Sequence, residues 1–291
     1  MVYVKAWLLS LQMPEVAHRE FAFTRRDFNH LCQLVDEHTG IQLAEGKEDM
    51  LYGRLSRRIR KVGLNSFKDY IEFLEDGKNV EEFGEFINAV TTNLTSFFRE
   101  SHHFDYLKNT LLPALIKTNR ASRRIRIWSA GSSTGEEPYS IAMTVAETMP
   151  SGWDVKILAT DLDTDVLAHG ERGIYDDSRV EGLDKSVVKR WFVKSSQQPG
   201  KVRVKPELQE LIYFRQLNLL QEWPMKGPID IIFCRNVIIY FDMPTKQKLV
   251  DRYADMLVDG GHLFLGHSEA MNHMSNRFSL DGKSVYIKTN V

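Results

Sequence analysis

The chain has 291 residues, of which 43% are hydrophobic and 26% charged, and its formal net charge is −1. This composition is typical of a globular protein with room for one large domain and a smaller one. The balanced charge excludes a global preference for nucleic acid or an anionic membrane. Cys32 and Cys234 are too few for a disulfide framework and favour a reducing compartment, and no run approaches the ~20 apolar residues of a membrane span.

The sequence shows no spacing typical of a metal site, so we expect no metal cofactor. The histidines form no HExxH pattern, and His102 and His103 are adjacent residues, which do not share a helix face. Asp161, Asp163 and Asp165 resemble the start of an EF-hand loop, but the required Gly and the closing Glu are missing. The first residues, MVYVKAWLLSLQMP, lack a clear small-residue cleavage site and are interpreted as a tail rather than a signal peptide.

Residues 24 to 118 are predicted to be helical. Thr24 and Asp27 have the spacing of a capping box, and Gly40 marks the end of the first helix. Three further apolar stripes follow at helical spacing before residue 91, and each stripe must find a partner. The pattern therefore predicts a small four-helix bundle.

The second predicted helix carries five cations between positions 54 and 61, with no acid among them. Four of these cations, Arg54, Arg57, Arg58 and Lys61, fall beside or at the margin of the apolar stripe. One interpretation is an ordinary solvated face. The other is a docking surface for an acidic partner helix, and both interpretations stay open at this stage.

A buried strand, a small-residue loop and a helix are predicted in the stretch RIRIWSAGSSTGEEPYSIA, residues 124 to 142. A loop with few side chains, including Gly131, lets a ligand approach the backbone amides, and the helix start behind it favours negative charge. The spacing is not G-x-G-x-x-G, however, and Glu136 and Glu137 disfavour a pyrophosphate. A nucleoside ligand with a cationic part, such as S-adenosylmethionine, fits better.

Further apolar strands are predicted at 155–160, 211–216, 229–234 and 262–265, and a closing hairpin with Asp281 and Gly282 at its turn. Asp161 follows the second strand, where an acid can accept both ribose hydroxyls of a nucleoside. Asp161 and Ile212 are 51 residues apart, whereas a whole βαβ unit needs only about 30. The pattern predicts an α/β fold with a doubly wound sheet of the methyltransferase type and an inserted small β-subdomain.

These elements divide the chain into an N-terminal helical domain (1–90), a linker with a connecting helix (91–120) and a sheet domain (121–291). The inserted subdomain covers about 173–207. In the linker, TTNLTSFFRES places short hydrogen-bonding side chains beside two phenylalanines and an arginine. A segment that only crossed the surface would not need this composition, although a capped helix start would also explain it.

Five motifs occurring in order resemble the CheR-type chemotaxis receptor methyltransferases: TNLTSFFRE, AGSSTGEEPYSIAM, LATDLD, LNLL and FCRNVIIYFD. The resemblance covers about residues 22 to 290. It implies an S-adenosylmethionine-dependent enzyme that esterifies glutamate side chains on the acidic cytoplasmic helices of chemoreceptors and leaves S-adenosylhomocysteine. It also implies a cytoplasmic protein, peripheral to membrane receptor arrays, that neither inserts into the membrane nor binds nucleic acid.

The resemblance also implies a set of site residues. Its cofactor contacts fall on Asn93, Thr95, Arg99, Glu136, Asp161, Asn218, Leu219, Arg235 and Asn236, to which the loop residue Gly131 is added. Some members read a receptor's C-terminal tethering peptide through a glycine-rich turn in the β-subdomain. This chain has SSQQPG at 195–200 instead, which leaves that interaction open.

Our hypothesis for the chemistry is that Arg99 and Tyr240 line the methyl-transfer site. Arg99 would hold a carboxylate by charge-assisted hydrogen bonds, either the substrate's or the cofactor's, and Tyr240 would donate from its hydroxyl. Two alternatives remain at this stage. A nucleic-acid methyltransferase would use the basic helix, and a non-catalytic regulator would bind S-adenosylmethionine without needing Arg99 and Tyr240 together.

Overall fold

The computed structural model describes residues 19–194, 198–271 and 274–289. The N-terminal tail and the first three residues of the SSQQPG segment therefore lie outside the described residues. Within the described part of the chain, no helix combines the length and the apolar character that a membrane span requires.

Four helices form the N-terminal bundle, each with one apolar face in a shared core. They are α1 (Arg25–Thr39), α2 (Glu48–Val62), α3 (Phe67–Glu75) and α4 (Val80–Val90). The predicted capping box is confirmed, because the Thr24 hydroxyl accepts the Asp27 amide and the Asp27 carboxylate accepts the Thr24 amide. Gly40 ends α1 with a left-handed φ of 69°, as its position predicts.

The connecting helix continues through Pro113. It comprises α5 (His102–Tyr106), one π-helical turn (Leu107–Leu111) and α6 (Leu112–Thr118). Proline has no amide hydrogen and its ring clashes with the preceding turn, so the regular i→i−4 hydrogen bonding cannot pass through it. The wider π turn immediately before the proline accommodates this disruption.

A seven-stranded sheet forms the centre of the remaining chain. Its strands and their flanking helices are β1 (Arg124–Ala130), α7 (Glu136–Thr148), β2 (Asp154–Asp161), α8 (Thr164–Arg172), β6 (Ile212–Gln216), β7 (Ile229–Cys234), α11 (Met243–Met256), β8 (Leu257–Leu265), β9 (Phe278–Gly282) and β10 (Val285–Lys288). The order is β6-β2-β1-β7-β8-β10-β9, with the first five strands parallel and β10 antiparallel to both neighbours. The predicted doubly wound sheet with a closing hairpin is confirmed.

The inserted segment forms a separate antiparallel sheet, as predicted. It contains β3 (Ile174–Asp176), α9 (Lys185–Trp191), β4 (Phe192–Lys194), β5 (Lys201–Val204) and α10 (Pro206–Gln209), with β5 between the other two strands. We call the residues from Ile174 to Val204 the inserted subdomain. Its apolar residues join the same core as one face of the large sheet.

Two sequence-based boundaries were wrong at the closing end of the sheet. Asp281 and Gly282 belong to β9, because Gly282 pairs with Val285 across a register shift, so the turn lies at Lys283 and Ser284. Strand β8 begins at Leu257, five residues before the predicted start, because its pairing with β7 continues past the two glycines through another register shift.

The topology also fixes where a ligand can bind. Strand β1 lies between β2 and β7, so the chain connections leave it in opposite directions along the sheet. In such sheets the crevice outside the carboxyl ends of the strands at this switch point binds the ligand. The loops after β1, β2, β6 and β7 meet at this edge.

Candidate functional site

A pocket of about 1100 Å³, including space open to solvent, lies at this edge of the sheet. The loops after β1, β2, β6 and β7 contribute to it, as do the linker and the bundle residues Ile41, Leu43 and Val90. Ten of the predicted site residues line it: Asn93, Thr95, Arg99, Gly131, Asp161, Asn218, Leu219, Arg235, Asn236 and Tyr240. The structure thus brings together residues from five separate motifs.

The loop after β1 is tightly folded. Gly131 has a φ of 96°, and a Cβ there would lie 2.3 Å from a methyl group of Val237, so only glycine fits. The amides of Gly131 and Ser132 donate to the carbonyl of Thr160, and the amide of Ser133 donates to Asp161. These three amides thus have partners within the protein and are not free donors. A ligand can come close to the loop because the loop has few side chains.

Glu136 is the predicted contact that does not line the pocket. Its carboxylate accepts hydrogen bonds from Thr134 and from Arg179 of the inserted subdomain. Consecutive helical residues point about 100° apart, so Glu136 and Glu137 leave the start of α7 in different directions. Glu137 lines the pocket, whereas the cofactor contact predicted at Glu136 stays a prediction.

Glu137 is buried together with its counter-charge. Its carboxylate accepts the Ser129 hydroxyl at 2.7 Å and the Arg235 guanidinium at 3.0 Å. Burial raises the pKa of Glu137, while Arg235 and Ser129 act to lower it. This arrangement keeps an acidic group against the pocket with only part of its hydrogen-bonding capacity used.

Asp161 lies at the end of β2 with both carboxylate oxygens held. The amide of Ser133 donates to Oδ2 at 2.8 Å and the amide of Asp163 donates to Oδ1 at 3.1 Å. Burial raises the pKa of Asp161 to about 6, although these amide donors act in the opposite direction. Each oxygen retains a lone pair, so the carboxylate can still accept two hydroxyl groups.

The linker forms one wall of the pocket and is fixed from several sides. Asp163 accepts the Asn93 side-chain amide at 2.7 Å, and the Ser133 hydroxyl donates to the Asn93 carbonyl at 2.9 Å. The Phe98 amide donates to the Ser140 hydroxyl at 2.9 Å. These bonds hold a segment without helix or strand structure in one conformation.

Arg99 and Tyr240 line the same pocket, Arg99 from the linker and Tyr240 from the turn after β7. Arg99 Nη1 donates to the Leu94 carbonyl at 2.8 Å, which leaves other guanidinium donors available. Burial raises the pKa of Tyr240 while the charge of Arg99 acts to lower it, so the tyrosine is neutral and its hydroxyl can donate.

Glu269 orients the turn that carries Asn236 and Tyr240. One carboxylate oxygen accepts the amides of Val237 and Ile239, and the other accepts the amides of Asn236 and Gly266. Sequence reasoning missed this residue, because Glu269 is 33 positions from Asn236 and belongs to none of the five motifs. It missed Glu137 and Arg179 as well, although Glu137 is part of the motif that contains Glu136.

The basic face of α2 is less free than its sequence suggests. Arg54 donates to the carbonyls of Ala89 and Thr91, and Arg58 forms ion pairs with Glu82 and Glu85 of α4. Lys61 lies 3.7 Å from Glu85 and remains exposed. Arg57 is exposed and has no ion-pair partner among the described residues.

Glu100, His102 and His103 form a side-chain cluster that the sequence analysis did not anticipate. Their potential ligand atoms lie within 4.8 Å of one another, and the two imidazole rings are 4.2 Å apart although the residues are adjacent. Glu100 is already paired with Arg235 at 3.4 Å and with His267 at 3.0 Å. We therefore interpret the cluster as part of an ion-pair network, in which Glu100 and Arg235 connect the linker to the end of β7.

A doubly wound sheet of five parallel strands closed by an antiparallel hairpin, with a pocket at its switch point that includes two carboxylates, is an architecture found in S-adenosylmethionine-dependent methyltransferases. The chain belongs to the CheR methyltransferase family. Residues 93–287 match the family's SAM binding domain, and residues 26–91 match its all-alpha domain.

Full-length relatives agree with this membership. A chemotaxis protein methyltransferase of Escherichia coli is 43% identical over 96% of this chain and 94% of its own length. Chemotaxis protein methyltransferase 2 of Pseudomonas aeruginosa is 43% identical over 95% of this chain and 98% of its own length. A probable chemotaxis protein methyltransferase of Rhizobium etli is 45% identical over 80% of this chain and 88% of its own length. A geranyl diphosphate C-methyltransferase structure from Streptomyces coelicolor is far more distant, at 13% identity and a TM-score of 0.31 over 49% of this chain and 38% of that one.

Proposed function

We propose that this protein transfers the methyl group of S-adenosylmethionine to glutamate carboxylates on the cytoplasmic helices of chemoreceptors. The observation that carries the proposal is the convergence of the linker, the β1 loop and the loops after β2, β6 and β7 on one pocket that includes both Arg99 and Tyr240. Membership of the CheR family supplies the substrate class.

The acidic groups in the pocket fit the proposed cofactor. Asp161 can accept the ribose hydroxyls, and Glu137 can face the cationic amino-acid part, since both carboxylates keep free lone pairs. Asn93, Thr95, Asn218 and Leu219 enclose the nucleoside. When bound, the cofactor supplies a methyl group made electrophilic by a sulfonium.

The protein needs no general base for the substrate. A glutamate carboxylate has a reference pKa of about 4.3 and is ionised at neutral pH. The task of the pocket is to remove water from the carboxylate and hold it in line for transfer, which contributes up to ~7–11 kcal/mol in favourable cases. Arg99 and Tyr240 are proposed to orient the carboxylate, with the guanidinium supplying charge-assisted hydrogen bonds.

The exposed cations of α2 are proposed to receive the acidic receptor helix. Arg57 and Lys61 are best suited, because Arg54 and Arg58 are engaged with α4. Surface charge of this kind mainly steers and selects the partner. In this proposal residues 1–90 dock the receptor, 91–120 connect the two parts, and 121–291 bind the cofactor and carry out transfer.

Two finer features belong to the same proposal. The protein would act in the cytoplasm at the periphery of receptor arrays, where its substrate helices are exposed. A receptor C-terminal peptide could add a strand to β4 or β3, because both are edge strands of the inserted subdomain.

The test is transfer of methyl label to receptor. The pure protein is incubated with methyl-labelled S-adenosylmethionine and receptor-containing membranes, and the label in protein is tested for release by base, as expected of a methyl ester. An otherwise identical reaction with an Arg99→Ala variant is the control. Cofactor binding without transfer to any receptor would favour a regulator, and label in added nucleic acid would contradict the proposal.

A further inference from the structure

The inserted subdomain reaches the cofactor pocket through Arg179. This arginine belongs to a 3₁₀ turn, Asp177–Arg179, that follows β3. Its guanidinium donates to the carboxylate of Glu136 from Nε at 3.1 Å and from Nη2, and Nη2 also donates to the carbonyl of Thr95 at 2.8 Å. One side chain therefore joins the subdomain to the start of α7 and to the linker.

Aromatic residues of the subdomain make contacts beside Arg179. The Tyr175 hydroxyl donates to the carbonyl of Thr134 in the β1 loop at 2.7 Å. Phe97 of the linker packs edge-on against Tyr175 and Phe192, with ring centroids 5.0 and 5.3 Å away. The subdomain therefore packs against both the β1 loop and the linker, the two elements that form these walls of the pocket.

The partners of Arg179 are sensitive to its loss. The side chain of Glu136 is only 1% exposed, and without Arg179 its remaining side-chain donor is the hydroxyl of Thr134. A buried carboxylate without its counter-charge is strongly unfavourable. Thr95 lines the pocket and belongs to a segment without helix or strand structure. Its carbonyl is therefore held in place by the hydrogen bond from Arg179.

We propose that Arg179 is a positioning residue for the cofactor: it holds Thr95 and the first turn of α7 in the geometry that S-adenosylmethionine and S-adenosylhomocysteine require. The inference rests on the proposed function, since it concerns the cofactor of that reaction. It assigns the inserted subdomain a role in cofactor binding that is separate from any contact with a receptor.

The test compares S-adenosylhomocysteine binding by calorimetry in the full-length protein and three variants. Arg179→Ala is expected to raise the dissociation constant about tenfold, the effect of losing charge-assisted hydrogen bonds. Arg179→Lys should recover part of the affinity, because an ammonium can reach one of the two acceptors but lacks the fork that binds both. Lys201→Ala is the matched control, because it removes an ion pair with Asp176 in the same subdomain without a contact to the pocket.

Kinetics and stability separate positioning from folding. Arg179→Ala should raise KM for S-adenosylmethionine with kcat within about twofold of wild type, and it should also lower the unfolding midpoint, because Glu136 loses its counter-charge. Combining Arg179→Ala with Glu136→Gln should recover the midpoint without recovering the affinity for S-adenosylhomocysteine. Unchanged affinity in Arg179→Ala, an equal loss in Lys201→Ala, or a fall in kcat alone would each overturn the inference. Failure of the wild-type protein itself to bind S-adenosylhomocysteine would instead contradict the proposed function.

Discussion

Arg235 and Glu137 form an ion pair beneath the cofactor pocket, with Nη1 and Oε2 3.0 Å apart and side chains only 2% and 10% exposed. The same guanidinium lies 3.4 Å from Glu100 and donates to the carbonyl of Arg99. One buried cation therefore joins the end of β7, the start of α7 and the linker. The guanidinium of Arg235 thus connects three elements that line the pocket.

Removing this cation should destabilise the protein strongly. Arg235→Met leaves Glu137 buried without its counter-charge, and the expected loss in the free energy of unfolding is about 3–5 kcal/mol. Combining Arg235→Met with Glu137→Gln should recover part of that loss, because the uncompensated charge is removed. Urea unfolding of the two variants and of the exposed-site control Arg57→Ala measures both effects. A loss no greater than that of the control would contradict the prediction.

Cofactor affinity should depend on pH through Asp161. Burial raises the pKa of this carboxyl to about 6, and the proposed ribose contact favours the ionised form as acceptor. Affinity should therefore be complete well above pH 6 and decrease as pH falls through 6, with S-adenosylhomocysteine binding about tenfold weaker at pH 5 than at pH 8. Calorimetry across this range checks the expectation. Asp161→Asn should bind more weakly but without this pH dependence, and an identical slope in that variant would assign the titration to another group.

Glu269 should be required to hold the turn that presents Tyr240. In Glu269→Gln, an amide NH₂ replaces one oxygen and faces backbone donors instead of accepting from them. Each buried amide left without an acceptor costs about 1–3 kcal/mol, so unfolding free energy and turnover should both fall. Glu207→Gln, at an exposed position on α10, is the matched control. Equal turnover in the two variants would remove Glu269 from this role.

Receptor docking and cofactor binding should be separable on the second helix of the bundle. Arg57→Glu combined with Lys61→Glu should raise KM for the receptor about tenfold at low salt, with a smaller effect at high salt because exposed charges are screened. Affinity for S-adenosylhomocysteine should not change. Arg54→Ala should behave differently and weaken cofactor binding, because its guanidinium holds the carbonyl of Thr91, a residue that lines the pocket. A double variant with normal receptor kinetics would exclude this face from docking.

The sequence predicted most of the fold because its signals are local. The capping box at Thr24, the apolar strands and the excess length before Ile212 each depend on residues close in the chain. The motifs likewise led to most of the residues that line the pocket. What local patterns could not predict is which of two neighbouring residues lines the pocket, as Glu136 and Glu137 show, since both occupy the same helix start.

Contacts between residues far apart in the chain could not be predicted from the sequence either. Nothing near Arg58 indicates that Glu82 and Glu85 neutralise it, because those acids come from another helix. Glu269 and Arg179 act on motif residues far away in the chain, and each is an ordinary charged residue in its own local context. Their roles depend on tertiary packing.

The close packing of the inserted subdomain limits how this segment can be exchanged between homologous enzymes. Exchanging this segment between homologous enzymes would test the proposal that its edge strands bind a receptor peptide. Here the donor segment would also have to supply an arginine for Glu136 and Thr95 and a tyrosine hydroxyl for Thr134. With Arg179 in the proposed positioning role, a chimaera that preserved only the exposed edge strands would lose affinity for S-adenosylmethionine, so the transplanted segment must include the inward-facing side chains as well.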